Sequence, residues 1–232
     1  MSTWFVHCGL KRVSDQSQIL SVLEQNVLNI DASYGVLIGS RAVRRFLPNF
    51  RELQRDDTAD WDIICSAKFL LQWLRTKIKS IDSINMIIPE SNDNDQLDMY
   101  VYCILTDESK YDFSIPQSST SYTAYILNNS VKWIKPEFYS GIWTEDSLIR
   151  IASLKLLIIL KKYMLYYTHQ WQKTAKDYRE LLPVTPSLTE DDRTMCELFT
   201  QYNEKIHGSR PPIVDDFTIE KINNFLDMML MC

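Results

Sequence analysis

The chain has 232 residues, 45% hydrophobic and 24% charged, with 25 basic against 30 acidic side chains and a net charge of −5. That apolar content can build one large or two small cores, and no global basic field advertises nucleic acid. Cys8, Cys65, Cys103, Cys196 and Cys232 are scattered, with no CxxC or histidine pair to suggest zinc, as in proteins of reducing compartments. With no charged-then-apolar leader and no apolar run of about 18 residues, a cytoplasmic protein without a membrane partner is expected.

Residues 1–13 read ambiguously, with a short strand at Trp4–His7. Ser14–Asn29 carries Ile19, Leu20, Val22, Leu23 and Val27 at helical spacing, with Ser14 or Asp15 as cap. The apolar stretch Tyr34–Ile38 reads as a strand that ends at Gly39, and Ser40 opens a predicted helix over Arg41–Phe46. A strand turning into a helix through glycine points free backbone N–H groups at one spot, where an anion is favoured. Ser40 can cap that helix or hydrogen-bond a phosphate oxygen. With only five glycines in the chain, against an average usage of about 7%, one at this turn suggests a close backbone approach.

After a polar stretch over Pro48–Thr58, whose Asp56 and Asp57 read as solvated loop charges, Trp61–Cys65 reads as a strand entered by Asp60-Trp61-Asp62. Alternation along a strand sends Asp60 and Asp62 to one face and Trp61 to the other. Two neighbouring carboxylates repel unless a cation lies between them, and an all-oxygen donor set suits a hard ion such as Mg2+. Ala67–Lys79 follows as an amphipathic helix, Ile84–Ile88 as a strand, Glu90–Asp95 as a turn, and Met99–Leu105 with Tyr111–Ile115 as a hairpin. Beyond Ser118 the pattern reads as helical over 119–129, 145–167, 169–182, 189–206 and 217–231, punctuated by prolines. Elements alternating β and α, then helices alone, predict an α+β fold with a mixed sheet over residues 1–117 and a helical domain over 118–232.

The order apolar strand, Gly39-Ser40, helix, Asp60-x-Asp62 resembles the polymerase-beta-like nucleotidyltransferase superfamily, small or toxin-type members included. That family places a third carboxylate in an apolar-Asp-apolar strand, and Tyr111-Asp112-Phe113 fits. By this resemblance Asp60, Asp62 and Asp112 are the catalytic, metal-binding residues. They would hold two Mg2+ ions, with Mn2+ an alternative, and Asp112 would orient or deprotonate the attacking hydroxyl. Gly39 and Ser40 would bind the phosphates of an NTP, with Arg41 and Lys155 neutralising them. The implied reaction moves an NMP from an NTP to an unknown acceptor, an RNA, a tRNA or a protein hydroxyl. The alternatives are an inactive nucleotide- or RNA-binding member of that fold and a metal-dependent nuclease. The gap from Ser40 to Asp60 is longer than the family's usual one.

Lys155 lies in the apolar helix Leu154–Leu160, where an ammonium is costly unless an anion meets it. A triphosphate would serve, and so would Asp177 or Glu180 in a structural pair. Lys176 and Asp177 read first as a surface helix pair, with a place in the site the weaker reading. Tyr163, Tyr166, Tyr167 and Trp171 have the spacing of helix packing rather than base stacking. His207 beside Gly208 fits a helix C-terminus, and Glu190-Asp191-Asp192 the first turn of a helix capped by Thr189.

Overall fold

The computed structural model describes residues 10–26, 28, 30, 32–50, 60–89, 97–129, 134–138, 148–164, 171–184, 187 and 189–207. The expected strand at Trp4–His7, the turn Glu90–Asp95, most of the loop before Asp60 and the helix over 217–231 lie outside them. The chain divides into two compact units, one of residues 8–153 and one of residues 1–7 with 154–232.

The first unit is built on one mixed eight-stranded sheet. Its elements are β1 (Leu10–Val13), α1 (Gln16–Gln25), β2 (Tyr34–Leu37), α2 (Gly39–Val43), β3 (Trp61–Cys65) and α3 (Ala67–Lys77). There follow β4 (Ile81–Pro89), β5 (Asp98–Leu105), β6 (Lys110–Pro116), α4 (Tyr122–Asn128), β7 (Ile134–Phe138) and β8 (Leu148–Ala152). The strand order is β1-β4-β5-β6-β3-β2-β8-β7. β3 runs parallel to β6 and β2 parallel to β8, while the other neighbours are antiparallel.

Side-chain alternation gives the sheet two unlike faces. On β3, β6 and β5 one set is fully buried: Trp61, Ile63, Cys65, Tyr111, Phe113, Ile115, Met99, Val101 and Cys103. Helix α3 closes this face, with α1 packed against α3. Trp73 of α3 packs on Tyr111 and Phe113, with ring centroids 5.0 and 4.8 Å apart. Ser66 caps α3 by accepting from the Phe69 backbone N–H at 3.1 Å, as Asp15 caps α1 from Gln18 at 2.9 Å.

The opposite set, Asp62, Asp112, Ser114, Tyr100 and Tyr102, is half-buried. Among the described residues, helix α4 packs on this second face. There Tyr34 donates its O–H to the Leu127 carbonyl at 3.1 Å, and Thr123 donates to Asp98 at 2.6 Å.

The structure corrects the expected architecture in three places. The helix expected over 145–167 is a strand, β8, followed after Ser153 by a helix over Leu154–Met164. Ile149 and Ile151 alternate to the buried side of β8, and its pairing with β2 provides the hydrogen bonds that a helix would otherwise have made internally. Second, Ile134–Phe138 is a strand despite Pro136, which an edge strand tolerates because one of its sides needs no N–H donor. Third, the boundary expected after residue 117 falls between Ser153 and Leu154, since α4, β7 and β8 complete the sheet unit.

In the second unit the described elements are helical: α5 (Leu154–Met164), α6 (Trp171–Leu181) and α7 (Arg193–His207), with short 3-10 turns at Leu182–Val184 and Glu190–Asp192. Leu156, Leu157, Ile158 and Ile159 bury most of α5, against α6 and α7. Thr189 and Asp192 form a capping box before α7, as the acidic run suggested.

Candidate active site

Asp62 and Asp112 are register partners on the parallel pair β3/β6. Their side chains therefore stand next to each other on the half-open face. Asp60, exposed, precedes β3 and by alternation belongs to that side. Asp112 feels both: burial first, then the charges of Asp62 and Asp60, push its carboxyl up to about 7. Among the described residues neither Asp60 nor Asp112 makes a hydrogen bond or an ion pair.

Gly39 is the reason Asp62 can stand where it does. Its φ is +69°, in the left-handed region that favours glycine. A Cβ there would overlap Oδ2 of Asp62 and lie 2.7 Å from its Cγ. The same junction is pinned by the Ile38 N–H donating to the Asp62 carbonyl at 2.8 Å. The chain thus brings the glycine turn and the carboxylate into direct contact, with a carboxylate oxygen occupying the place a methyl group would take.

The remaining predicted residues separate. Gly39 lies inside the first turn of α2 rather than before it, and Ser40 makes no capping hydrogen bond and is buried. Arg41 lays its guanidinium over the Trp61 ring at 4.3 Å. Trp61 faces away from Asp62, so Arg41 is drawn to the closed side of the sheet. Lys155 belongs to the other compact unit and pairs with Asp192 at 3.1 Å, which corrects the expected partners Asp177 and Glu180. Asp177 is met by Lys161 at 2.7 Å instead of Lys176. Both pairs hold helices together and need no nucleotide.

The cation question can be tested on these residues. The donor set is all oxygen and Asp112 is crowded by like charge, both of which suit a hard divalent ion. Among the described residues, however, no three His, Cys, Asp or Glu side chains already stand close enough to hold a metal ion. The fit is thus one of chemistry and placement, and Asp60 must close on the Asp62–Asp112 pair to complete a donor set.

One residue of the site went unnoticed in the sequence. Tyr102 on β5 is the register partner of Asp112. Burial first, then Asp112 and Asp60, raise its phenol above the usual value, so it stays a hydrogen-bond donor. The signal was present: alternation along Met99–Leu105 puts Tyr102 on one face, and the hairpin register pairs it with Asp112.

A second buried acid lies at the α4 end of the same face. Asp98 is fully buried; desolvation pushes its carboxyl up to about 7 against hydrogen bonds from Thr123 and Ser121. It ties β5 to α4.

Residues 35–131 match the family model described as a domain of unknown function, DUF7277. The matched stretch runs from β2 through α4 and includes Gly39, Asp60, Asp62, Tyr102 and Asp112 but not Lys155. No curated protein matches the chain.

Proposed function

We propose that the chain is a divalent-cation-dependent nucleotidyltransferase, with a nucleotidyltransferase-type core in residues 8–153 and the helices after Leu154 as an accessory region. The observation that carries this is the contact between a glycine turn at positive φ and Asp62, with Asp112 beside it in register. A carboxylate pair held against a backbone turn offers an all-oxygen donor set of the kind that suits a phosphate-bridged cation.

Asp62 and Asp112, joined by Asp60, would hold Mg2+, which when bound neutralises the triphosphate and polarises the α-phosphorus. The backbone at Gly39–Ser40 would receive the β- and γ-phosphates, its small residues letting them approach. In the transfer step the acceptor oxygen forms a bond to the α-phosphorus as the bond to the bridging oxygen of pyrophosphate breaks. The hydroxyl proton passes to a carboxylate oxygen of Asp112, which stands beside Asp62 in register. Neither Arg41 nor Lys155 is assigned a phosphate here, because each already has another partner.

The test is direct. Purified full-length chain with Mg2+ and α-labelled NTPs should release pyrophosphate and pass label to an acceptor in cell-extracted RNA or protein, and Asp62→Asn should stop it. Undiminished turnover in Asp62→Asn and Asp112→Asn would remove the proposal. Cutting of RNA or DNA strands in the absence of NTP would identify a nuclease instead.

A further inference from the structure

Across the half-open face the register gives one fixed order. The Gly39 turn touches Asp62, Asp62 neighbours Asp112 on β6, and Asp112 neighbours Tyr102 on β5. In-line displacement needs the attacking and leaving oxygens on opposite sides of the phosphorus. If pyrophosphate leaves towards the glycine turn, the attacker arrives over Asp112 and Tyr102. Tyr102 is half-buried on this face, and its phenol oxygen makes no hydrogen bond among the described residues. Side chains of such cross-strand partners start about 4.5–5.5 Å apart. A carboxylate and a hydroxyl donor side by side match two oxygens on neighbouring carbons.

We infer that Tyr102 lines the acceptor subsite and that the acceptor is a vicinal diol: one hydroxyl attacks from above Asp112 while its neighbour accepts a hydrogen bond from the Tyr102 O–H. This rests on the transferase reading and extends it to the substrate class. A sugar with adjacent free hydroxyls or a polyol meets the requirement; a lone serine or threonine hydroxyl does not.

The experiment supplies the full chain with Mg2+, the four NTPs and, separately, ethane-1,2-diol, propane-1,3-diol or ethanol at equal hydroxyl concentration. Nucleotide esters are counted by mass spectrometry and total turnover by pyrophosphate release. The wild type should favour ethane-1,2-diol about tenfold, the size expected for one added hydrogen bond to the substrate. Tyr102→Phe should level the three while leaving the apparent KM for NTP within about twofold, since the nucleotide lies on the Gly39 side. Tyr102→Ala, with folding checked by thermal melting, should level them as well. Equal use of the three by the wild type overturns the inference, as does a Tyr102→Phe variant that keeps the preference or loses NTP affinity instead. A wild type that releases no pyrophosphate sinks the transferase reading together with this one.

Discussion

Asp177 and Asp192, in the helices after Leu154, are each met by a lysine, at 2.7 and 3.1 Å, whereas Asp62 and Asp112 in the sheet face each other. Asp192 illustrates the first treatment. Desolvation raises its carboxyl, but the Thr189 backbone N–H and Lys155 outweigh that and hold it down to about 2. Asp112 illustrates the second, with every major cause pushing it up. A fold that settles two acids with lysines and sets Asp112 among like charges, with no ion pair among the described residues, treats the latter as a place to receive charge. Pairing, more than burial, separates Asp177 and Asp192 from Asp112.

The sharpest way to break that contrast is to neutralise one acid of each kind. Asp62→Asn or Asp112→Asn should lower NTP turnover on the order of 10³-fold, while the melting temperature of Asp112→Asn without divalent cation holds or rises because like-charge repulsion is relieved. A lower melting temperature with turnover intact would make these acids structural after all.

Gly39→Ala comes next. The left-handed backbone costs of order 1–3 kcal/mol for a residue with a side chain, and the new methyl must displace the Asp62 carboxylate. Turnover should fall at least about tenfold, accompanied by reduced stability in urea. A variant as active as the wild type would mean that Asp62 does not need its place against the turn.

On the paired side, Lys161→Met should destabilise by roughly 2–4 kcal/mol, since it takes the ammonium away from the buried Asp177 carboxylate. Lys155→Met should cost less, about 1 kcal/mol, because Asp192 retains its two Thr189 hydrogen bonds. Neither should change the KM for NTP per folded molecule. An elevated KM in Lys155→Met would restore that lysine as a phosphate ligand.

The smallest effect concerns pH. Asp98 keeps its proton in the folded chain up to about pH 7, whereas the unfolded chain releases it near pH 4. Between those values the folded state binds more protons, so its stability falls as pH rises. Asp192 has the opposite sign. Its folded carboxyl titrates at about 2, so the stability it adds above about pH 4 is lost as pH falls below that value. Urea melts across pH 4–7 should show a shallower slope in Asp98→Asn, with the share from Asp112 remaining; a slope unchanged in that variant would assign it to other groups.

Much of the sheet unit could be read from residue order. Tyr34–Ile38, Trp61–Cys65 and the hairpin Met99–Leu105 with Tyr111–Ile115 are short, β-branched or aromatic runs bounded by turn residues, and each is a strand. The helix start at Asp15 and the capping box at Thr189 were legible for the same local reason. Leu148–Ala152 was not. Its apolar run continues into α5, and over five residues helical and strand periods cannot be told apart; the pairing with β2 settles it.

Residue order by itself determined that Asp60 and Asp62 share a side and that a glycine turn precedes them, because strand alternation and backbone sterics act over a few residues. Only the tertiary structure decided which partners those side chains have. Register across β3, β6 and β5 brings Asp62, Asp112 and Tyr102 into one row, and the folding of α5 against α7 gives Lys155 to Asp192. Charge–charge energies depend on distance and burial, and for residues far apart along the chain only folding fixes either one.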